Sequence, residues 1–188
     1  MDRSLRMITA MYDRVTTRQV HRGRLLTVEV LSFTDPQGRL IEREVVRHPG
    51  AVLIVPRLKE NRLVLLRNQR VAVNECLWEL PAGTLEPGEE PAEAARRELA
   101  QETGYQAGTI FKLGEFYTSP GFCDELIEVF VARDLRFVGQ QLDAGEEIDV
   151  RVMEQAEALA MVDDGRIRDA KTIAGLLMWA RLPPGTVA

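Results

Sequence analysis

The run Gly83–Tyr105, GTLEPGEEPAEAARRELAQETGY, gathers carboxylates more densely than any other stretch of the chain and dictates its own local structure. Two glycines and a proline among the acids up to Glu90 predict a tightly bent loop that cannot begin a helix before that point. Pro91 suits the first helical turn, where an amide hydrogen would go unpaired, and Glu89, Glu90 and Glu93 sit at the positive helix end. Ala92–Thr103 are mostly good helix formers, and Gly104 is placed to close the helix in a left-handed conformation.

On that helix Glu98, Gln101 and Glu102 share one face, with Ala95 and Leu99 free to turn toward a core. Stacked carboxylates repel, and an oxygen-loving divalent cation between them removes the repulsion. Glutamate spacing alone describes a solvated acidic helix equally well. The complete pattern says more. Gly83, five residues, Glu89, seven residues, Arg97-Glu98-Leu99, then Glu102, Gly104 and Tyr105 closely resembles the Nudix box. That resemblance implies Glu98 and Glu102 as core metal ligands, a metal contact from the Ala82 carbonyl, and an ion pair or hydrogen bond between Glu89 and Arg97 bracing loop against helix. Gln101 departs from the paired glutamates usual in the family, which bears on an accessory ion rather than on metal binding as such.

The chain has 188 residues, is 45% hydrophobic and carries a net charge of −5, which suits one domain or a domain with a small appendage. The acidic balance argues against nucleic acid as a partner. Cys76 and Cys123 form no CxxC and read as thiols of a reducing cytoplasm. No apolar run reaches the ~18 residues of a membrane span, and the N-terminus lacks a signal-peptide core. His21 and His48 are too few for a histidine-rich zinc site, and no GxSxG elbow is present.

Met1–Met11 has no strong period and is left open. Tyr12–Val20, Leu25–Phe33 and Leu40–Arg47, with turn chemistry at Arg22-Gly23 and Asp35–Gly38, predict a small antiparallel sheet over 1–48. Three strands bury little, so this sheet needs the main domain, 49–188, or a partner subunit. In the ADP-ribose pyrophosphatase branch of the family such a sheet exchanges across a homodimer and completes the partner's site. Ala51–Pro56 and Leu63–Asn68 read as a hairpin around Lys59-Glu60-Asn61, and Leu77–Gly83 as one strand running into the box. This WELPAG run extends the resemblance toward the ADP-ribose and nucleotide-sugar branch, which implies Arg70 as a substrate contact and Glu79 as an acid near the ribose or metals. Arg43 is the candidate arginine from the N-terminal sheet, and Trp78 reads as a core aromatic.

Beyond the box, Gly108–Tyr117 and Ile127–Arg133 read as strands. Pro120, fifteen residues after Tyr105 in a Ser-Pro-Gly setting, matches a family position associated with ADP-ribose. In the loop Asp143–Asp149 the resemblance implies Glu146 as metal ligand or general base, with Glu147 competing. Asp149–Met153 reads as a strand, Glu154–Val162 and Lys171–Leu182 as helices.

The expected fold is α/β (α+β), an α/β/α sandwich around a mixed sheet with the N-terminal sheet appended. The activity implied is Mg2+-dependent hydrolysis, with Mn2+ as the alternative ion, of ADP-ribose to AMP and ribose 5-phosphate. Glu98, Glu102, Glu146 and Ala82 would serve the metal, and Arg70, Arg43, Glu79 and Pro120 the substrate. Gly83, Glu89, Arg97 and Gly104 would shape the box. Another nucleoside-diphosphate sugar such as GDP-mannose is the second reading, and a non-cleaving ligand sensor the third.

Overall fold

The computed structural model describes residues 13–142, 145 and 147–182. The opening stretch Met1–Met11 and the candidate base Glu146 lie outside them.

Six consecutive apolar residues form β4, Ala51–Pro56, and all six are buried. A strand can be apolar throughout only where both sheet faces are covered. β4 runs parallel to β9, Leu126–Phe137, and antiparallel to β7, Ala82–Thr84. With β8, Tyr105–Tyr117, beyond β9, this makes a mixed four-stranded sheet of order β7-β4-β9-β8. Val52 and Ile54 pack with Ala94, Ala95 and Leu99 of α1, Pro91–Thr103. Leu53 and Val55 join the opposite cluster, with Ala158 and Met161 of α2, Gln155–Asp163, and Leu176 and Trp179 of α3, Ala170–Ala180. The period-two alternation of β4 thus divides its side chains between two helical layers, the α/β/α arrangement expected. Each fully buried leucine here contributes roughly 1.5–3 kcal/mol.

A second, antiparallel sheet has β5, Arg62–Arg70, between β10, Ile148–Glu154, and β6, Glu75–Glu79. β4 and β5 are therefore not the hairpin their sequence suggests. Glu60 and Asn61, at φ 59° and 55°, turn the chain out of one sheet and into the other. WELPAG is likewise two strands rather than one. β6 ends at Glu79 and β7 starts at Ala82, because Pro81 has no amide to offer a ladder; its carbonyl accepts from Ile54 N instead, at 2.9 Å.

α1 begins at Pro91, behind an extended Glu90. Gly104, at φ 75°, ends it and donates to Ala100 O at 3.0 Å. The Gly104 carbonyl then accepts from Val138 N at 2.7 Å, while Gln140 Nε2 donates to Glu102 O at 2.7 Å. The residues leading into the second acidic loop are thereby fastened to the end of the box helix.

The chain divides into two compact units. One holds the antiparallel sheet β1, Asp13–Arg22, β2, Thr27–Thr34, and β3, Leu40–Arg47, together with Tyr117–Leu126. The turn Gly23 N to Leu26 O, at 2.8 Å, takes up the residues that shorten β2 relative to its predicted start. Tyr117–Leu126 joins this sheet through Asp124, which accepts from Arg47 Nη1 at 3.0 Å and from His48 N at 2.8 Å. The other unit, Gly50–Phe116 with the residues from Ile127 on, carries the box. Among the described residues no helix is long and apolar enough to cross a membrane.

In a Gly104→Ala variant the new Cβ lies 2.8 Å from Gln140 N and 2.9 Å from the Phe137 ring, at a φ of 75° that alanine resists. Urea unfolding should show a loss of about 1–3 kcal/mol, with the fold retained.

Candidate active site

Helical spacing puts Glu98 and Glu102 one turn apart, and β7 gives both the same target. Glu102, 5% exposed, accepts from Ala82 N through Oε2 at 2.9 Å. The Glu98 carboxylate lies so close over Gly83 that a methyl group built there would fall inside it. Glycine at this position is a matter of room for an oxygen donor, since any side chain would push Glu98 off the strand. Two carboxylates therefore converge on the Ala82–Gly83 backbone.

Arg97 locks this arrangement. Its Nε and Nη2 donate to Glu89 Oε1 and Oε2 at 2.8 and 2.9 Å, a fork-to-fork pair joining loop to helix. Nη1 reaches Glu98 Oε1 at 2.6 Å and Gln101 Oε1 at 3.1 Å, and Nη2 reaches Thr84 O at 3.4 Å. Glu86 N donates to Glu89 Oε2 at 3.0 Å and closes the loop. The hydrogen bonds from Arg97 hold Glu89 below the usual glutamate range, and those to Glu89 and Glu98 raise Arg97. Gln101, the departure from the family pattern, spends its amide oxygen on Arg97.

A second charged group lies on β5 and β6. Arg70 donates to Glu79 through Nε at 2.7 Å and Nη2 at 2.6 Å, and Lys171 Nζ adds a bond to Glu79 Oε2 at 2.8 Å. Glu79 is 1% exposed. Burial pushes its carboxyl up, yet Arg70 and Lys171 outweigh burial and hold it below the ordinary 4.5. The Glu79 hydrogen bonds raise Arg70, and the charge of Glu102 also acts on it, so the two groups belong to one electrostatic neighbourhood.

Lys171, Asp169 and Thr172 escaped the sequence reading. Asp169 caps α3, accepting from Thr172 N at 2.9 Å and Thr172 Oγ1 at 2.6 Å, and also holds Lys171 at 2.8 Å. The Thr172 hydroxyl accepts from Leu80 N at 2.8 Å, so one helix start supports both Glu79 and the strand switch beside it. An N-cap is legible in Asp169-Ala-Lys-Thr; a contact spanning 92 residues is not.

Arg43 and Pro120 lie in the other unit, Arg43 on β3 with Nη1 donating to Glu42 O at 2.8 Å. Glu147 is exposed and lines a cleft of about 680 Å³ with Arg67, Trp78, Asp149 and Arg151, none of them a box residue. Trp78 packs against the core, with the Arg67 guanidinium 5.0 Å from its ring.

Among the described residues no three acidic, histidine or cysteine side chains form a metal cluster. Glu98 and Glu102 nevertheless fit a hard divalent ion. Both offer carboxylate oxygen, Gly83 lets the Glu98 carboxylate lie against the strand, and an ion such as Mg2+ takes few protein ligands and leaves the rest to water and phosphate.

A two-layer helical cover around a mixed sheet, with a loop-helix presenting two carboxylates to one backbone turn, describes a metal-assisted hydrolase site. Residues 47–176 match the NUDIX domain, and the chain belongs to the Nudix family. It is 38% identical over 160 residues to the ADP-ribose pyrophosphatase of Bacillus subtilis (strain 168), covering 84% of this chain and 86% of the relative. To the ADP-ribose pyrophosphatase of Mycobacterium tuberculosis (strain ATCC 25618 / H37Rv) it is 36% identical over 169 residues, 88% of this chain and 82% of the relative. The GDP-mannose pyrophosphatase of Citrobacter koseri (strain ATCC BAA-895 / CDC 4225-83 / SGSC4696) is 36% identical over 180 residues, 88% and 91% of the two chains. A solved structure titled as an ADP compounds hydrolase superimposes with a TM-score of 0.79 at 25% identity, covering 89% of this chain and 91% of that one. Enzymes of this family work with divalent metal ions.

Because Glu79 is held below 4.5, its pairs stabilise the fold fully above that pH and lose their contribution as pH falls through the lowered value. Glu79→Gln should cost about 2–4 kcal/mol at pH 7 in urea unfolding. The gap from wild type should narrow below pH 4.5. A gap independent of pH would show that the charge of Glu79 is not what matters.

Proposed function

We propose that the protein hydrolyses the diphosphate of ADP-ribose to AMP and ribose 5-phosphate in the presence of Mg2+. The observation that carries this reading is the convergence of Glu98 and Glu102 on Ala82–Gly83, within the electrostatic reach of Arg70. The relatives named as ADP-ribose pyrophosphatases supply the substrate.

Glu98 and Glu102, with the Ala82 carbonyl, would hold the metal. When bound, Mg2+ supplies charge neutralisation at the diphosphate and acidifies attacking water. The remaining work belongs to the chain. Arg97 fixes the Glu98 carboxylate from one side, and its pairing with Glu89 keeps the loop from drifting as charge builds on the substrate. Arg70, oriented by Glu79 and Lys171, offers its outward face to a phosphate oxygen. Glu146 receives the proton of the attacking water as its oxygen bonds to one phosphorus and the bridging P–O bond breaks, so one product keeps the water oxygen and the other leaves with the bridging oxygen, giving AMP and ribose 5-phosphate together. Arg43 and Pro120 are the further candidate substrate contacts, and the active form is a homodimer that exchanges the sheet of residues 1–48. The enzyme acts in the cytoplasm, where Cys76 and Cys123 stay reduced.

The second reading, hydrolysis of GDP-mannose, is favoured by the resemblance to the GDP-mannose pyrophosphatase; it keeps the same chemistry at the diphosphate and changes the base and sugar bound.

Chromatography of products after incubation with Mg2+ and either ADP-ribose or GDP-mannose tests both. AMP should appear from ADP-ribose at a kcat/KM well above that for GDP-mannose, and Glu98→Gln and Glu102→Gln should each lower kcat by about a hundredfold or more. Arg70→Ala should act chiefly on KM, raising it about tenfold. Faster turnover of GDP-mannose would move the substrate, and full activity of the glutamate variants would remove the proposed site.

A further inference from the structure

β4 has two ends. Ala51–Leu53 pair with β7 and belong to the box, whereas the residues beyond Pro56, roughly 15 Å further along the strand, build a separate cleft. Arg57, Leu58, Lys59, Glu60 and Arg62 form one wall of it, and Arg133–Leu135 of β9 form the other. Its volume is about 530 Å³, within the roughly 300–1,000 Å³ typical of small-ligand sites.

Lys59, Arg62 and Arg133 share the cleft with two acids, Glu60 and Asp134, in a chain whose net charge is −5. Both acids already have a partner. Glu60 Oε2 lies 3.5 Å from Arg62 Nη2, and Asp134 Oδ2 already accepts from Thr109 Oγ1 at 3.1 Å. Arg62 Nε and Arg133 Nε are both buried without an acceptor. Both side chains line the cleft with hydrogen-bonding capacity unspent. Arg133 is held in place by stacking 5.6 Å from the Phe111 ring.

The backbone at the rim is also held away from its easiest conformations. Of the four described non-glycine residues with positive φ, three are here: Glu60 at 59°, Asn61 at 55° and Asp134 at 54°. Such conformations persist where surrounding structure enforces them, and they place Lys59, Arg62 and Arg133 around one space. Two guanidinium groups and an ammonium converging on one space suit an acceptor with several oxygens of high charge density, which describes a phosphate group.

The geometry points to this cleft as a second anion-binding site, taking a phosphate-bearing small molecule beyond Pro56, apart from the Ala82–Gly83 backbone on which Glu98 and Glu102 converge. Leu58 and Leu135 give it an apolar side against which an organic phosphate can rest. Phosphate chemistry is shared by inorganic phosphate and by nucleoside monophosphates, and the two are separable by titration.

Isothermal titration of the full chain with sodium phosphate, and separately with AMP, in EDTA at constant ionic strength tests the site. Saturable binding should survive in Arg70→Gln, whose change lies in the other charged group. It should weaken about tenfold or more in Lys59→Gln/Arg62→Gln, the loss expected for two charge-assisted hydrogen bonds. AMP binding tighter than phosphate, with the same dependence on Lys59 and Arg62, assigns the cleft to organic phosphates; equal affinities assign it to the free ion. Absence of saturable binding of either probe, unchanged binding in the double variant, or loss in Arg70→Gln alone overturns the proposal. If circular dichroism shows the double variant unfolded, Lys59→Gln alone replaces it. That side chain is exposed, and weakened binding there supports the site while unchanged binding refutes it.

Discussion

The 2.9 Å hydrogen bond from Ala82 N to Glu102 Oε2 joins the box helix to the sheet at the point where the chemistry is proposed. A carboxylate 5% exposed needs hydrogen-bond partners in place of water, and here a backbone amide supplies one from a strand that cannot shift. β7 cannot shift because β4, to which it pairs, is buried on both faces. The rigidity of the site is thus inherited from the packing of Val52, Ile54, Leu53 and Val55 between two helical layers. Arg97 then does for the loop what Ala82 does for the helix, clamping Glu89 and Glu98 with one guanidinium.

Around this centre the structure repeats one device, a carboxylate whose acidity is strengthened by a cation paired to it. Glu89 has Arg97, and Glu79 has Arg70 and Lys171. Leaving Glu79 without its partners would strand a charge at low dielectric, whereas the fork-to-fork geometry of Arg97 on Glu89 fixes a partly exposed loop. The first pair shapes the loop, and the second presents Arg70 within the field of Glu102.

The box was legible because its constraints are local: Pro91 at a helix start, Gly104 at a left-handed end, and glutamates one turn apart follow from residue type and spacing. The strands were legible by composition, but their pairing was not. Ala51–Pro56 and Arg62–Arg70 look like a hairpin in one dimension, yet the positive φ of Glu60 and Asn61 sends them to different sheets. Leu77–Gly83 looks like one strand, and Pro81 divides it. Lys171 and Asp169 could not be found by pattern, since their value lies in a contact with Glu79 made only after α3 has packed. Gln101 read as a lost acid; its oxygen is the fourth side-chain acceptor gathered by Arg97, after both oxygens of Glu89 and one of Glu98.

Mn2+ binding followed by electron paramagnetic resonance tests the central claim most directly, because it reads the carboxylate pair without depending on substrate. Wild-type protein should quench the free-ion signal stoichiometrically. Gly83→Ala, which keeps both glutamates but forces the Glu98 carboxylate off β7, should lose most of that binding, as should Glu102→Gln. Wild-type affinity in both variants would mean that the ion is held elsewhere and that the convergence on Ala82–Gly83 is structural alone.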